Sequence, residues 1–108
     1  LYEIPAGTLE KGESPAECAK RELIEETGYK TGNLELLGQC YMTPGYSTEI
    51  IYFFVANDLQ EVKIHEMDVD EQITIVKINI DDAMQMVLNG KIQDAKTAYA
   101  ILTYKSKG

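Results

Sequence analysis

Three carboxylates and a guanidinium fall within six residues at Arg21-Glu22-Leu23-Ile24-Glu25-Glu26. Side chains three and four apart share a helix face, so Glu22, Glu25 and Glu26 would crowd into one small volume. Like charges at these spacings cost a helix a few tenths of a kcal/mol per pair, about the size of a favourable pair with the sign reversed. Gly28 is a stop signal, which puts the acids in the last helical turn, where the macrodipole already disfavours negative charge. A divalent cation would turn this repulsion into coordination, because hard ions prefer carboxylate oxygens. The helix therefore reads as a holder for Mg2+ or Mn2+.

The elements that must position these groups are also marked. Ser14 is a good N-cap, Pro15 suits the first helical position, and Glu17 can close a capping box onto Ser14. The spacing predicts a helix over residues 15–27, with Ala16, Ala19, Leu23 and Thr27 as its packing stripe. Residues 4–13 ahead of it carry a proline and two glycines and read as a tight loop that could aim main-chain carbonyls at the same cation.

Gly7, five residues, Glu13, seven residues, and then Arg21-Glu22-Leu23-Ile24-Glu25-Glu26-Thr27-Gly28-Tyr29 resembles the Nudix box. That box is a loop-helix-loop which binds divalent metals and cleaves a pyrophosphate joined to another moiety. One position departs from the pattern: Tyr29 stands where the box usually has an aliphatic residue. The approach Glu3-Ile4-Pro5-Ala6-Gly7, and Pro44 fifteen residues past the box, are similar to ADP-ribose pyrophosphatases within that family. The resemblance implies an α/β chain with the α/β/α sandwich and mixed sheet of the Nudix fold, forming a single domain over residues 1–108. It also implies that strands ahead of the box are missing from this chain.

The implied activity is hydrolysis of ADP-ribose to AMP and ribose 5-phosphate. The bond to be broken is flanked by anionic oxygens, so a catalyst must neutralise charge and deliver water in line. Glu22, Glu25 and Glu26 are the expected metal ligands, joined through the resemblance by the backbone carbonyl of Ala6. Arg21 lies four residues before Glu25, at ion-pair spacing, and is expected to organise the carboxylates. Glu13 reads as an anchor between loop and helix. The resemblance places the general base in the acidic stretch 66–72, with Glu71 as first choice and Asp68 and Asp70 in reserve. Val69 stands where the family often has a further glutamate. Pro44, Gly45 and Tyr46 are the expected substrate contacts, with Tyr41 and Tyr46 able to stack on adenine or ribose. His65, the single histidine, reads as incidental.

Beyond the box, residues 33–42 and 49–56 read as strands joined by the turn at 43–47. The second is almost continuously apolar and reads as a central strand buried on both faces. Residues 57–70 read as a loop and 73–78 as a strand. A short helix follows from Ile80 to Leu88, and a last one begins near Asp94 and turns Ala98, Ile101 and Leu102 inward. Met84, Met86 and Val87 read as helix packing.

A net charge of −8 argues against nucleic-acid or anionic-membrane partners. No stretch approaches the ~20 apolar residues of a membrane span. Cys18 and Cys40 lack metal-ligand or CxxC spacing, so a reduced, cytoplasmic setting is expected. A homodimer is expected from the resemblance alone. Competing readings are hydrolysis of another nucleotide, such as a dinucleotide or oxidised nucleotide, and a non-catalytic domain that senses ADP-ribose or NAD.

Overall fold

The computed structural model describes residues 1–46, 48–62 and 74–108. Its elements are α1 (Pro15–Thr27), β1 (Tyr29–Tyr41), β2 (Ile50–Glu61), α2 (Ile80–Leu88) and α3 (Ala95–Lys107). Helix α1 has the bounds its capping residues predict. Ser14 Oγ accepts the Glu17 N–H, and Glu17 Oε1 accepts the Ser14 N–H, each at 3.1 Å. A reciprocal box of this kind satisfies two helix-end donors that would otherwise need water. At the other end Gly28 takes φ 75°, a left-handed conformation that a β-carbon would strain, and its N–H closes onto the Ile24 carbonyl.

From Gly28 the chain passes straight into β1, which pairs antiparallel with β2 from Tyr29↔Glu61 to Tyr41↔Ile50. Two sequence expectations are corrected here. Strand β1 begins at Tyr29 rather than near residue 33, and residues 57–61 extend β2 instead of opening a loop. The cause is mutual: the polar end of β2 pairs with the first residues of β1, and the Thr31 hydroxyl donates to the Asn57 carbonyl at 2.6 Å. A bulge at Leu37, between the pairs Leu36↔Phe54 and Gly38↔Phe53, turns Leu37 into the core.

The expectation that β2 is buried on both faces also fails. Only Phe53 is buried along it, because among the described residues β1 is its single neighbour in the sheet. Residues 74–79 have no regular structure and are exposed, against the strand expected there, and Ile73 lies outside the described residues. The Lys77 ammonium donates to the Tyr29 hydroxyl at 2.6 Å and so ties this segment to the base of the hairpin.

Helix α2 keeps its expected bounds, capped by Asn79. Helix α3 is capped by Asp94, whose carboxylate accepts the Thr97 N–H. Ala98 and Ile101 are half-buried, but Leu102 is exposed, and Thr97 occupies the innermost position instead. Among the described residues the buried apolar core is Cys18, Leu37, Phe53, Val62, Ala83 and Ile92. The Tyr99 ring of α3 lies 4.6 Å from the Phe53 ring, and its hydroxyl would meet a β-carbon at Gly38 at 2.5 Å. A glycine at the bulge therefore lets helix and sheet close. Residues 1–5, 74–80 and the α2–α3 edge line an open groove of about 990 Å³, with Glu26 on its wall. Among the described residues no helix is long and apolar enough to cross a membrane.

A carboxylate cluster around Arg21

Helix α1 carries Arg21 at a height where its guanidinium meets both the helix and the loop ahead of it. Its Nε and Nη2 fork onto Glu13 at 2.8 and 3.0 Å, a bidentate geometry matched to a carboxylate. Nη1 reaches Glu22 Oε1 at 2.7 Å, Glu25 Oε2 at 3.1 Å and Glu10 Oε1 at 3.5 Å. Nη2 also donates to the Thr8 carbonyl at 3.2 Å. One side chain thus fixes the loop (Thr8, Glu10), the helix entry (Glu13) and the last turns (Glu22, Glu25).

The turn that brings Glu13 in is held separately. Glu13 N–H donates to the Glu10 carbonyl, and Glu10 N–H donates to Glu13 Oε1, both at 3.0 Å. The Arg21 guanidinium, and then the Glu10 N–H, hold the Glu13 carboxyl down at about 2. The same pairing holds the Arg21 proton more tightly than usual. Four carboxylates face this one guanidinium, leaving three negative charges that Arg21 does not compensate.

Glu26 is held differently. The Ala6 N–H donates to its Oε2 at 2.8 Å, joining the loop to the helix one turn beyond Glu22. Partial burial raises the Glu26 pKa, against the pull of that N–H, and the charges of Glu22, Glu3 and Glu25 raise it further. The loop lies so close that a β-carbon at Gly7 would overlap the Glu22 carboxyl. Cys18, buried beneath, has its thiol pKa raised chiefly by that burial.

A family model described as the NUDIX domain matches residues 1–99. The chain belongs to the Nudix family. It is 43% identical over 102 residues to an ADP-ribose pyrophosphatase of Bacillus subtilis (strain 168), covering 94% of this chain and 55% of that relative. It is also 43% identical over 99 residues to a GDP-mannose pyrophosphatase of Yersinia pestis (strain Pestoides F), covering 90% of this chain and 50% of the relative. Among solved structures, an ADP compounds hydrolase superposes with a TM-score of 0.74 at 25% identity, over 91% of this chain and 52% of that one. The chain spans about half the length of the relatives it matches, and its fold is that part of the Nudix fold.

Of the residues singled out in the sequence, Arg21, Glu13, Glu22 and Glu25 meet in one cluster, and Glu26 adjoins it through Ala6. The peptide of Ala6 engages the site through its N–H. Among the described residues no three acidic, histidine or cysteine side chains converge on a point that could hold a metal, since Arg21 draws Glu22 and Glu25 while Ala6 draws Glu26. The donor chemistry nonetheless suits a hard dication. The bonds that hold Glu22, Glu25 and Glu26 engage one oxygen of each, and a carboxylate has two.

Glu71, Asp68, Asp70 and His65 lie outside the described residues. Pro44, Gly45 and Tyr46 form the turn at the tip of the hairpin, where Tyr46 is 95% exposed. Strand β1 is 13 residues long, so roughly 40 Å of chain runs between the α1 end of the hairpin and this tip. Three partners were not foreseen from the sequence: Glu10 and Thr8 on Arg21, and Thr97 on the loop. The first two contacts depend on how the loop folds back. The third left one sign, a Thr at the third position after the capping Asp94.

Proposed function

We propose that this chain is the metal-binding part of a divalent-cation-dependent hydrolase that splits ADP-ribose into AMP and ribose 5-phosphate. The observation that carries this reading is the cluster itself: four carboxylates share one guanidinium, which can offset one of their charges, and Glu26 stands beside them. Glu22, Glu25 and Glu26, with the Ala6 carbonyl, are the proposed holders of Mg2+ or Mn2+. When bound, such an ion supplies positive charge to the pyrophosphate and polarises a water. Arg21 keeps the carboxylates oriented from the side and fixes the loop, so the ligands need little reorganisation. Glu71 is the proposed base for the attacking water.

The ADP-ribose assignment draws support from the 43% identity to the Bacillus subtilis relative of that name. A second reading, a sugar nucleotide such as GDP-mannose, is favoured by the equal identity to the Yersinia pestis relative. Pro44, Gly45 and Tyr46, at the exposed tip of the hairpin, are the proposed substrate contacts, and a homodimer is the proposed assembly.

The test is to incubate the purified protein with ADP-ribose, and in parallel with GDP-mannose, at millimolar Mg2+ and to measure nucleoside monophosphate release. AMP formation that disappears with chelator and with Glu26→Gln is expected. Release from neither substrate, or undiminished release by Glu26→Gln, would remove the reading.

A further inference from the structure

Among the described residues Thr97 is the one polar residue of the core, 3% exposed, and lies in the first turn of a helix remote in sequence from the acidic cluster. Its hydroxyl donates to Asp94 Oδ2 at 2.7 Å, and its N–H donates to the same oxygen at 3.0 Å. With its proton committed to Asp94, the Thr97 oxygen presents lone pairs and accepts the Ile4 N–H at 3.0 Å. Two residues later the Ala6 N–H donates to Glu26 Oε2 at 2.8 Å. Pro5 stands between, with a fixed φ and no N–H of its own. The three-residue segment is thus fastened at one end to α3 and at the other to the carboxylate.

We propose that Thr97 is a positioning residue for Glu26: by fixing Ile4 it sets where the Ala6 N–H sits and hence where the Glu26 carboxylate is held. Its importance for catalysis rests on the reading given under Proposed function, but the relay does not. Burial makes the hydroxyl hard to replace. Ile4 is half-buried, so a valine would leave its N–H without the protein acceptor it has, while a serine would keep that acceptor.

The experiment compares Thr97→Val and Thr97→Ser with the native protein by two measurements. The first is amide hydrogen exchange at Ala6, followed by NMR without metal. The second is Mn2+ affinity by EPR titration. Thr97→Val should speed Ala6 exchange about tenfold or more, as local opening becomes easier. It should weaken Mn2+ binding by about 10–100-fold, the usual effect of losing a group that orients a ligand. Thr97→Ser should stay within about twofold on both, because it keeps the oxygen that accepts the Ile4 N–H. Thr31→Val, which removes a β1–β2 bond at a residue outside the groove lined by Ile4, Thr97 and Glu26, controls for lost stability alone and should change neither.

Native exchange at Ala6 in Thr97→Val would overturn the proposal, as would equal acceleration by Thr31→Val. Faster exchange with native Mn2+ affinity would reduce Thr97 to a loop anchor and overturn its positioning role. If the native protein bound no Mn2+, the functional reading would fail, while Ala6 exchange would still decide the relay. If Thr97→Val does not fold, Asp94→Asn keeps a good helix cap but weakens the bond that orients the hydroxyl. The same changes in smaller measure are then expected, and their absence would overturn the proposal.

Discussion

Alanine at Gly7 would put a β-carbon inside the space taken by the Glu22 carboxyl. Non-bonded carbon and oxygen atoms rest about 3.5 Å apart, so the carboxyl would have to retreat by more than about 1 Å. It cannot do so freely, because Glu22 Oε1 is held by Arg21 Nη1 at 2.7 Å and its side chain is only 16% exposed. The helix backbone need not move, since the clash is with the far end of a flexible side chain. Gly7 is also not among the glycines with positive φ, so alanine meets no backbone strain. The entropy lost from the unfolded chain would even favour the fold by about 0.4–1 kcal/mol, against the disturbed ion pair.

Gly7→Ala should therefore leave the thermal midpoint within a few degrees of native while lowering kcat/KM on ADP-ribose by about 100-fold, the cost of misplacing a reacting group by 1 Å. Steady-state kinetics with saturating Mg2+ and a melt by circular dichroism check both halves. A further check is the double variant with Glu22→Gln. If Gly7 acts through Glu22, the glycine change should cost much less there, because the two perturb one group. Activity within threefold of native for Gly7→Ala, or full additivity in the double variant, would refute the argument.

Three other outcomes follow from the same geometry. Arg21→Lys replaces a fork that bonds Glu13 through two nitrogens by a single point charge, so kcat/KM should fall by about 10–100-fold with helicity unchanged by circular dichroism. Ser14→Ala removes the capping box of α1 and should lower the unfolding free energy by about 1 kcal/mol in urea titrations, with native activity per folded molecule. The Glu13 carboxyl is held at about 2 when folded, below its ordinary 4.5, so its stabilising contribution is complete above pH 4.5 and drains away as pH falls towards 2. The stability gap between native protein and Glu13→Gln should accordingly be wide at pH 6 and close between pH 4.5 and 2; an unchanged gap would show that Arg21 does not set this carboxyl.

What could be read from the sequence, and what could not, follows the range of each interaction. Capping acts within about four residues, so Ser14, Glu17 and Gly28 declare both ends of α1, and Asp94 the start of α3, without help from the rest of the chain. The Arg21–Glu25 pair is equally local, one helical turn apart. The length of β2 is not local. Residues 57–61 carry no apolar alternation and enter the strand only because β1 offers them partners about thirty positions earlier. Leu102 misled for a related reason: α3 has apolar residues on more than one face, and the face that turns inward is chosen by the contact with Ile4 and by Tyr99 against Phe53.

The Thr97–Ile4 bond joins residues 93 apart, and no periodicity could have named that pair. Chemistry narrows it all the same. A threonine placed three residues after its capping aspartate gives its proton to that carboxylate and keeps an accepting oxygen. Once buried, such an oxygen demands a donor from elsewhere in the chain. The loop ahead of α1 can supply one, because it has no regular structure of its own to occupy its N–H groups. The loop that must hold an acidic site still is thus the one left free to be fastened from a distance, so the geometry of Glu26 depends on a helix that begins almost seventy residues later.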